Sequence, residues 1–321
     1  MADLDWGPVP TIDHLRERAK IIADVRLFFA KRKVLEVETP LVGAYSVTDP
    51  HMDAIKTESP FGVPASYYLQ TSPEYAMKRM IAAGFGSIFQ ICKSFRRGEK
   101  GSRHNPEFTM LEWYRPGFDH FDLMDEVSEL MCMVLSCQPV RQMTYRQLFE
   151  QYLNIDPHSE NSTSLERIAR EQIDIQMQSE NKDDWLNVLM TEIIEPQIGI
   201  EAPLFIYNYP ASQCALAKVV LDGEGVPVAE RFELYFRGVE LANGYHELTD
   251  SNEQRRRFKK DQDLRQRLNR VDIAIDKNFM AAIDSGLPAC AGVAMGMDRL
   301  IMTALELDTI DDVLSFPIDR A

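Results

Sequence analysis

The chain has 321 residues, 26 % charged and 45 % hydrophobic, the balance of a globular protein able to bury a sizeable core. Fifty acidic residues against 35 basic ones leave a formal charge of −15, the wrong sign for a large nucleic-acid interface. Cys92, Cys132, Cys137, Cys214 and Cys290 form no CxxC pair and read as reduced thiols of a cytoplasmic protein; neither a signal peptide nor an apolar run of membrane-spanning length is present.

Residues 1–10 form a Pro-containing tail. Thr11 caps a predicted helix whose apolar residues Ile12, Leu15, Ala19, Ile22, Val25 and Phe29 recur three and four apart. VLEVETPLV (34–42) reads as a strand stopped at Pro40. In YYLQTSPEYAMKRMIAAG, a strand leads to a cap at Ser72, Pro73 takes the first helical position, Glu74 lies in the first turn, and the helix runs to Ala83. The strands 87–95 and 106–114 flank a glycine-bearing loop, a long hairpin.

A helix is expected over 119–137, and the polar stretch 155–185 as a surface insertion carrying one or two helices. Strands are predicted at 204–209, 216–221 and 228–236, with DGEG (222–225) as a turn. A charged helix follows at about 251–268, then a strand at 290–296 and a helix at 298–306. Hairpins in runs with helices grouped around them predict an α+β fold with an antiparallel sheet. Neither GxxxxGK[ST] nor a helix-opening GxGxxG occurs, which excludes P-loop and Rossmann readings.

Three segments carry chemistry. FRRGEKGSRHNPEFTMLEWY (95–114) joins an Arg-rich loop to an alternating strand. A lone loop of this kind is usually just solvated, but the linked string RHNPEFTMLEWY is far more specific. Its cations suit a reaction in which negative charge builds on phosphorus. Arg96, at a strand end, can bridge a carboxylate and an α-phosphate with its planar fork. Arg103 or His104 can reach outer phosphates, and Phe108 offers a flat face to a base.

GVAMGMDRLIM (292–302) is a strand running into a helix, where Gly292 and Gly296 permit close approach to the backbone. By itself it is a common core element. In ERFELYFRGVELANGYHELTD (230–250), Glu233 and Glu240 lie seven positions apart, and a bulge or turn near Gly238 would bring both to one site. Carboxylates aimed at ATP phosphates make sense with Mg²⁺ between them; the plain alternative is an exposed acidic strand edge.

In this order and direction, the first two segments resemble motifs 2 and 3 of the class II aminoacyl-tRNA synthetases. The first helix with VLEVETPLV resembles the motif 1 dimer interface. The resemblance covers about residues 11–321 and is closest to the lysine-type branch, on TSPEYAMK, FTMLEWY and ELANGYHEL. It implies a class II catalytic core as one domain, with ATP and Mg²⁺ as cofactors and activation of a carboxylate as its adenylate.

Carried over by position, Arg96 and Arg299 are the catalytic cations. Arg96, Arg97, Gly98, His104, Asn105, Phe108, Glu240, Leu241, Gly296 and Arg299 face the nucleotide, and Glu233 with Glu240 holds the metal. Ser72, Pro73 and Glu74 border the substrate, Glu74 taking the amino group nearest the carboxylate. Tyr114 and Glu247 grip the distal ammonium with Glu112 in support, while Asn243 and Arg96 face the carboxylate. A diammonium monocarboxylate does need acidic partners at both ends.

Departures refine the resemblance. Lysyl-tRNA synthetases carry an N-terminal β-barrel for the anticodon; none is expected here, which is similar to the stand-alone elongation factor P–lysine ligases. Ala294 stands where the tRNA enzymes have glycine, and in the ligase family this alanine accompanies preference for (R)-β-lysine. A methylene-sized change is worth about 1–3 kcal/mol of discrimination. The acid that receives the adenine amino group in related synthetases is replaced by Gly98, with Glu99 next to it, so a loop carbonyl substitutes.

The resemblance thus implies activation of (R)-β-lysine and transfer to a lysine side chain of elongation factor P, by a cytoplasmic homodimer without tRNA or membrane partner. A truncated synthetase acting on tRNA and a non-catalytic partner that senses lysine or nucleotide are the alternatives. Arg255, Arg256, Arg257, Lys259 and Lys260 read as a solvated helix face or, more boldly, as a docking patch for the acceptor.

Overall fold

The computed structural model describes residues 6–62 and 65–321; residues 1–5 of the expected tail lie outside them. The chain forms two compact units, Met1–Gly117 with Thr249–Ala321, and Phe118–Leu248.

The first unit opens with α1 (Ile12–Lys31), capped as expected: Thr11 Oγ1 accepts from the His14 amide at 3.2 Å. Its buried face lies further along than the periodicity predicts. Ile21, Val25, Phe28 and Phe29 are buried, whereas Ile12 is 65 % exposed. Phe29 is the pin: it stacks on Phe89 with centroids 4.5 Å apart and meets Trp113 edge-on at 5.2 Å. VLEVETPLV is not one strand. It divides into β1 (Leu35–Glu36) and β2 (Val42–Gly43) on either side of Pro40, which has no amide to donate to a ladder.

With β3 (Lys56–Glu58) and β4 (Ser66–Leu69), β2 makes a small sheet in the order β2-β4-β3. The helix α2 (Glu74–Ala82) begins one residue later than expected, with Pro73 ahead of it, although Ser72 Oγ still accepts from the Glu74 amide at 3.2 Å. The predicted hairpin is present as β5 (Ile88–Phe95) and β6 (Glu107–Pro116).

The second unit begins with α3 (His120–Leu135), closed by a reciprocal capping box between Asp119 and Asp122. Then come β7 (Arg141–Thr144), α4 (Tyr145–Leu153), α5 (Ser162–Gln172) and α6 (Lys182–Leu189). Residues 155–185 are no mere surface insertion. Leu165, Ala169 and Trp185 are wholly buried in one core with Phe149 and Ile206. The charged residues between them masked an apolar stripe at helical spacing.

β8 (Leu204–Pro210), β9 (Val219–Leu221), β10 (Pro227–Phe236) and β11 (Val239–His246) complete this unit. The β10–β11 turn rests on Arg237 and Gly238, both left-handed (φ 52° and 67°), the pairing a two-residue hairpin requires.

The chain then returns to the first unit through α7 (Ser251–Arg267), α8 (Lys277–Gly286), β12 (Cys290–Gly296) and α9 (Met297–Ala304). Within the first unit the strand order is β1-β5-β6-β12; within the second it is β11-β10-β8-β7, with β9 beside β10. β1–β5 and β7–β8 are parallel and the other pairs antiparallel, the expected α+β arrangement. Among the described residues no helix is long and apolar enough to cross a membrane.

Candidate active site

In the first unit, register decides which side chains share a face. Glu112 of β6 lies opposite Gln90 of β5 and Ala294 of β12; Tyr114 lies opposite Ile88 and Gly292; Met110 lies opposite Cys92 and Gly296. Strand alternation therefore sets Phe108, Glu112 and Tyr114 beside a row of small residues, Gly292, Ala294 and Gly296. The other face holds Trp113 against Phe29. Glu112 and Tyr114 are each 2 % exposed, and the Tyr114 hydroxyl donates to Glu112 Oε1 at 2.6 Å. The buried charge is felt next door: burial, then Glu112, pushes the Cys92 thiol up to about 12.

A Cβ added to Gly296 would meet its nearest atoms at 3.7 Å, all on Arg299, so the packing of the chain itself does not demand glycine there.

Arg96 follows β5 directly and is fixed by its amide donating to Pro106 O at 2.9 Å. Its guanidinium lies 5.1 Å from the Phe108 centroid, and Glu99 stands 3.9 Å away. The acid displaced by one position thus turns to Arg96. Arg97 and Gly98 are exposed on the loop, where Gly98 holds φ +82°, a conformation that favours glycine. Arg299 donates through Nε to Arg103 O at 3.2 Å and also contacts His104 Nε2. Partial burial, then Arg299, lowers the His104 pKa, so the imidazole stays neutral and accepts through Nε2.

The loop is staked from a distance. Asn105 is 4 % exposed; its amide donates to Glu107 O at 2.7 Å and accepts from the Ile318 amide at 3.0 Å. Lys100 pairs with Asp311 at 3.2 Å and Asp319 at 3.1 Å, and Ser102 O accepts from the Ile310 amide at 2.7 Å. Asn105 therefore shapes the loop through its own side chain.

Glu74, at the start of α2, is paired with buried Lys78 at 2.6 Å. Sequence reasoning passed over Lys78, although Glu–Lys at i, i+4 was the available signal. It also passed over the anchoring done by Asp298. This buried carboxylate accepts from the Thr109 amide at 2.6 Å and pairs with Arg18 at 2.6 Å, fastening α9 and α1 to β6. On α7 the basic cluster is largely neutralised. Arg255 pairs with Asp284, Arg256 and Arg257 with Glu253, and Lys259 with Asp263, as a solvated face requires.

In the second unit, Glu233 of β10 lies opposite Asn243 of β11, and a register shift between Leu234 and Tyr235 sets Glu240 opposite Tyr235. The irregularity anticipated near Gly238 exists and brings Glu233 and Glu240 to one face. Glu233 is 7 % exposed. Its Oε2 accepts from the Tyr209 and Tyr235 hydroxyls at 2.6 Å each; Oε1 accepts from Arg231 and, at 3.3 Å, from Asn243 Nδ2. This clamp was missed, though Arg231, Glu233 and Tyr235 alternate along the strand and so share a face. Glu247, 2 % exposed, forms a bridge pair with Ala217, and Leu241 is equally buried. Glu240 is half-buried.

Residues 10–320 match the model of the class II tRNA synthetases of the D, K and N type. Across essentially its whole length the chain is also similar to curated proteins described as elongation factor P–(R)-β-lysine ligases. It is 47 % identical to that of Haemophilus ducreyi (100 % of this chain, 98 % of the relative). It is 48 % identical to those of Mannheimia succiniciproducens and Salmonella paratyphi B (98 % of each chain in both comparisons). The chain belongs to the class II synthetase family, within the group formed by these ligases.

Proposed function

We propose that the protein is an ATP-dependent ligase that activates (R)-β-lysine as an aminoacyl-adenylate and transfers it to a lysine side chain of elongation factor P. The observation that carries the substrate is the register of β6 and β12, which sets Ala294 directly opposite Glu112, on the face that bears Tyr114. A methyl group at this point subtracts volume beside the acidic wall. One carbon of difference in where the amino group sits then becomes a difference in binding, about 1–3 kcal/mol.

In this reading the substrate carboxylate attacks the α-phosphate of ATP and pyrophosphate leaves. Arg96, stiffened by the strand end and by Phe108, stabilises charge at the α-phosphate, with Arg299 as second cation. Phe108 stacks on adenine, and the open backbone at Gly296 admits the nucleotide. His104, being neutral, orients Arg299 instead of competing with it for phosphate. Arg97 and Gly98 border the nucleotide, and Asn105 holds the loop for it. Glu74 takes the nearer amino group, while Tyr114, Glu112 and Glu247 receive the distal ammonium.

Mg²⁺, when bound, neutralises phosphate charge. Glu240, half-buried on the Glu233 face, would be one ligand, and Glu233 would serve as the other only by giving up a contact to Tyr209, Tyr235, Arg231 or Asn243.

Homodimerisation is part of the proposal. Ile12, Leu27, Leu35 and Val42 are 65 %, 51 %, 50 % and 39 % exposed on α1, β1 and β2, apolar side chains that a second copy would cover. The test of the reaction is intact-mass analysis of purified elongation factor P after incubation with enzyme, ATP, Mg²⁺ and each lysine isomer. A single lysyl-sized increment, larger in yield with (R)-β-lysine, is expected. Equal or better yield with (S)-α-lysine overturns the substrate assignment, and transfer to tRNA in its place overturns the acceptor.

A further inference from the structure

A second cluster of ligand-bearing side chains lies within the second unit. His120 is the first residue of α3, Glu230 belongs to β10, and His246 ends β11. One ligand atom from each lies within 4.8 Å of the other two. They meet for a reason legible in the backbone. The Glu230 amide donates to Lys218 O, and the Lys218 amide donates to His246 O, each at 2.9 Å, so one residue ties both strands together. The side chains then pair, His246 Nδ1 lying 2.6 Å from Glu230 Oε2. On β11, His246 and Gly244 alternate with Asn243 and Tyr245, which lie on the Glu233 side. Gly244 is required here, because a Cβ would meet the Phe232 ring at 2.3 Å.

His120 makes the cluster more than an ion pair. It is 3 % exposed, and among the described residues neither of its ring nitrogens has a hydrogen-bond partner. A buried imidazole ordinarily satisfies at least one of them, since burying a polar group without a partner costs about 1–3 kcal/mol. One of those nitrogens points into the cluster, where Glu230 and His246 are the neighbouring ligand atoms.

We propose that His120, Glu230 and His246 form a binding site for one divalent transition-metal ion of the zinc type. Two imidazoles and one carboxylate are a donor set that Zn²⁺ accepts, with the fourth position left to water. The ion would replace the proton shared by His246 and Glu230. Tetrahedral ligation at about 2.1 Å requires ligand atoms roughly 3.4 Å apart, so Glu230 and His246 part slightly while His120 closes in. Lys218 is the competing cation, 3.5 Å from Glu230 Oε2, but its side chain is 48 % exposed and can swing into water. His246 and Glu230 keep 15 % and 16 % of their side-chain surface open, which supplies an entry route. The bound ion would cross-link the start of α3 to β10 and β11.

The test needs neither substrate nor catalysis. Chelator-treated protein, free of ATP, is titrated with Co²⁺ and then Zn²⁺, following cobalt visible absorption and calorimetric heat. One ion per chain, zinc displacing cobalt and a rise in Tm on zinc addition are expected. His246→Gln and Glu230→Gln, each checked for folding by circular dichroism, should weaken binding at least about tenfold. Cys132→Ser should leave it unchanged. Absence of stoichiometric binding, or full affinity retained in folded His246→Gln, overturns the site. Neither result bears on adenylate formation, so this inference and the proposed reaction fail separately.

Discussion

Two buried glutamates, one in each unit, are held in opposite ways. Glu112 takes one tyrosine hydroxyl, that of Tyr114, and its neighbours across the β12 ladder are Ala294 and the flanking glycines Gly292 and Gly296. Glu233 lies under two tyrosine hydroxyls, an arginine and an asparagine. Both are acidic residues on alternating strands beside aromatic ones, and both sit in segments that resemble family motifs. The difference is in the neighbours: small residues face the first carboxylate across its ladder, whereas two tyrosines, an arginine and an asparagine make the second a fastening.

That contrast is sharpened most by removing the charge at Glu233. Glu233→Gln leaves Arg231 buried without its counter-charge and should cost about 3 kcal/mol in urea denaturation. Glu240→Gln should change stability by less than about 1 kcal/mol while slowing pyrophosphate exchange. Equal stability of the two variants would break the comparison. On the first unit's side, Arg96→Ala should lower adenylate formation about 10²–10³-fold with little change in Tm. Arg96→Lys should not restore it, because an ammonium lacks the planar fork.

Ala294→Gly should shift the preference between (R)-β-lysine and (S)-α-lysine by about 10–200-fold toward the α isomer, read by pyrophosphate exchange with each. An unchanged ratio would mean that the volume beside Glu112 does not select the substrate. The smallest effect concerns Asp261, whose carboxyl is pushed up from 3.8 to about 6 by burial, reinforced by Asp49 and only partly offset by the hydrogen bond from Thr48. The folded chain then holds a proton that the unfolded chain releases, so stability drains away as pH rises from about 4 to 6 and the cost is fully present above 6. Asp261→Asn should raise Tm by a few degrees at pH 7.5, with the gain vanishing near pH 4.

Much of this was legible in the sequence. The β5–β6 hairpin, β12 running into α9 and the helix over 251–267 follow from period and punctuation. The family was legible because the residue types of its motif-like segments are unusual and linked in order. Where the sequence misled, tertiary contacts had overridden local pattern. Ile12 belongs to the apolar stripe of α1, but Phe29 decides where that stripe is buried. Residues 155–185 looked like loop because charged residues outnumber the few apolar ones that build α5 and α6. The partners of Glu233 could not be read at all beyond strand alternation, since Tyr209 comes from another strand.

The loop between β5 and β6 has a remote dependency. Lys100 and Asn105 reach partners more than 200 positions downstream, at Asp311 and Ile318. Closing so large a circuit is among the slower events available to a folding chain. The hairpin can therefore register long before its loop acquires a fixed outline, and substitutions around 310–319, remote from any reacting atom, should impair nucleotide affinity while leaving the sheet intact.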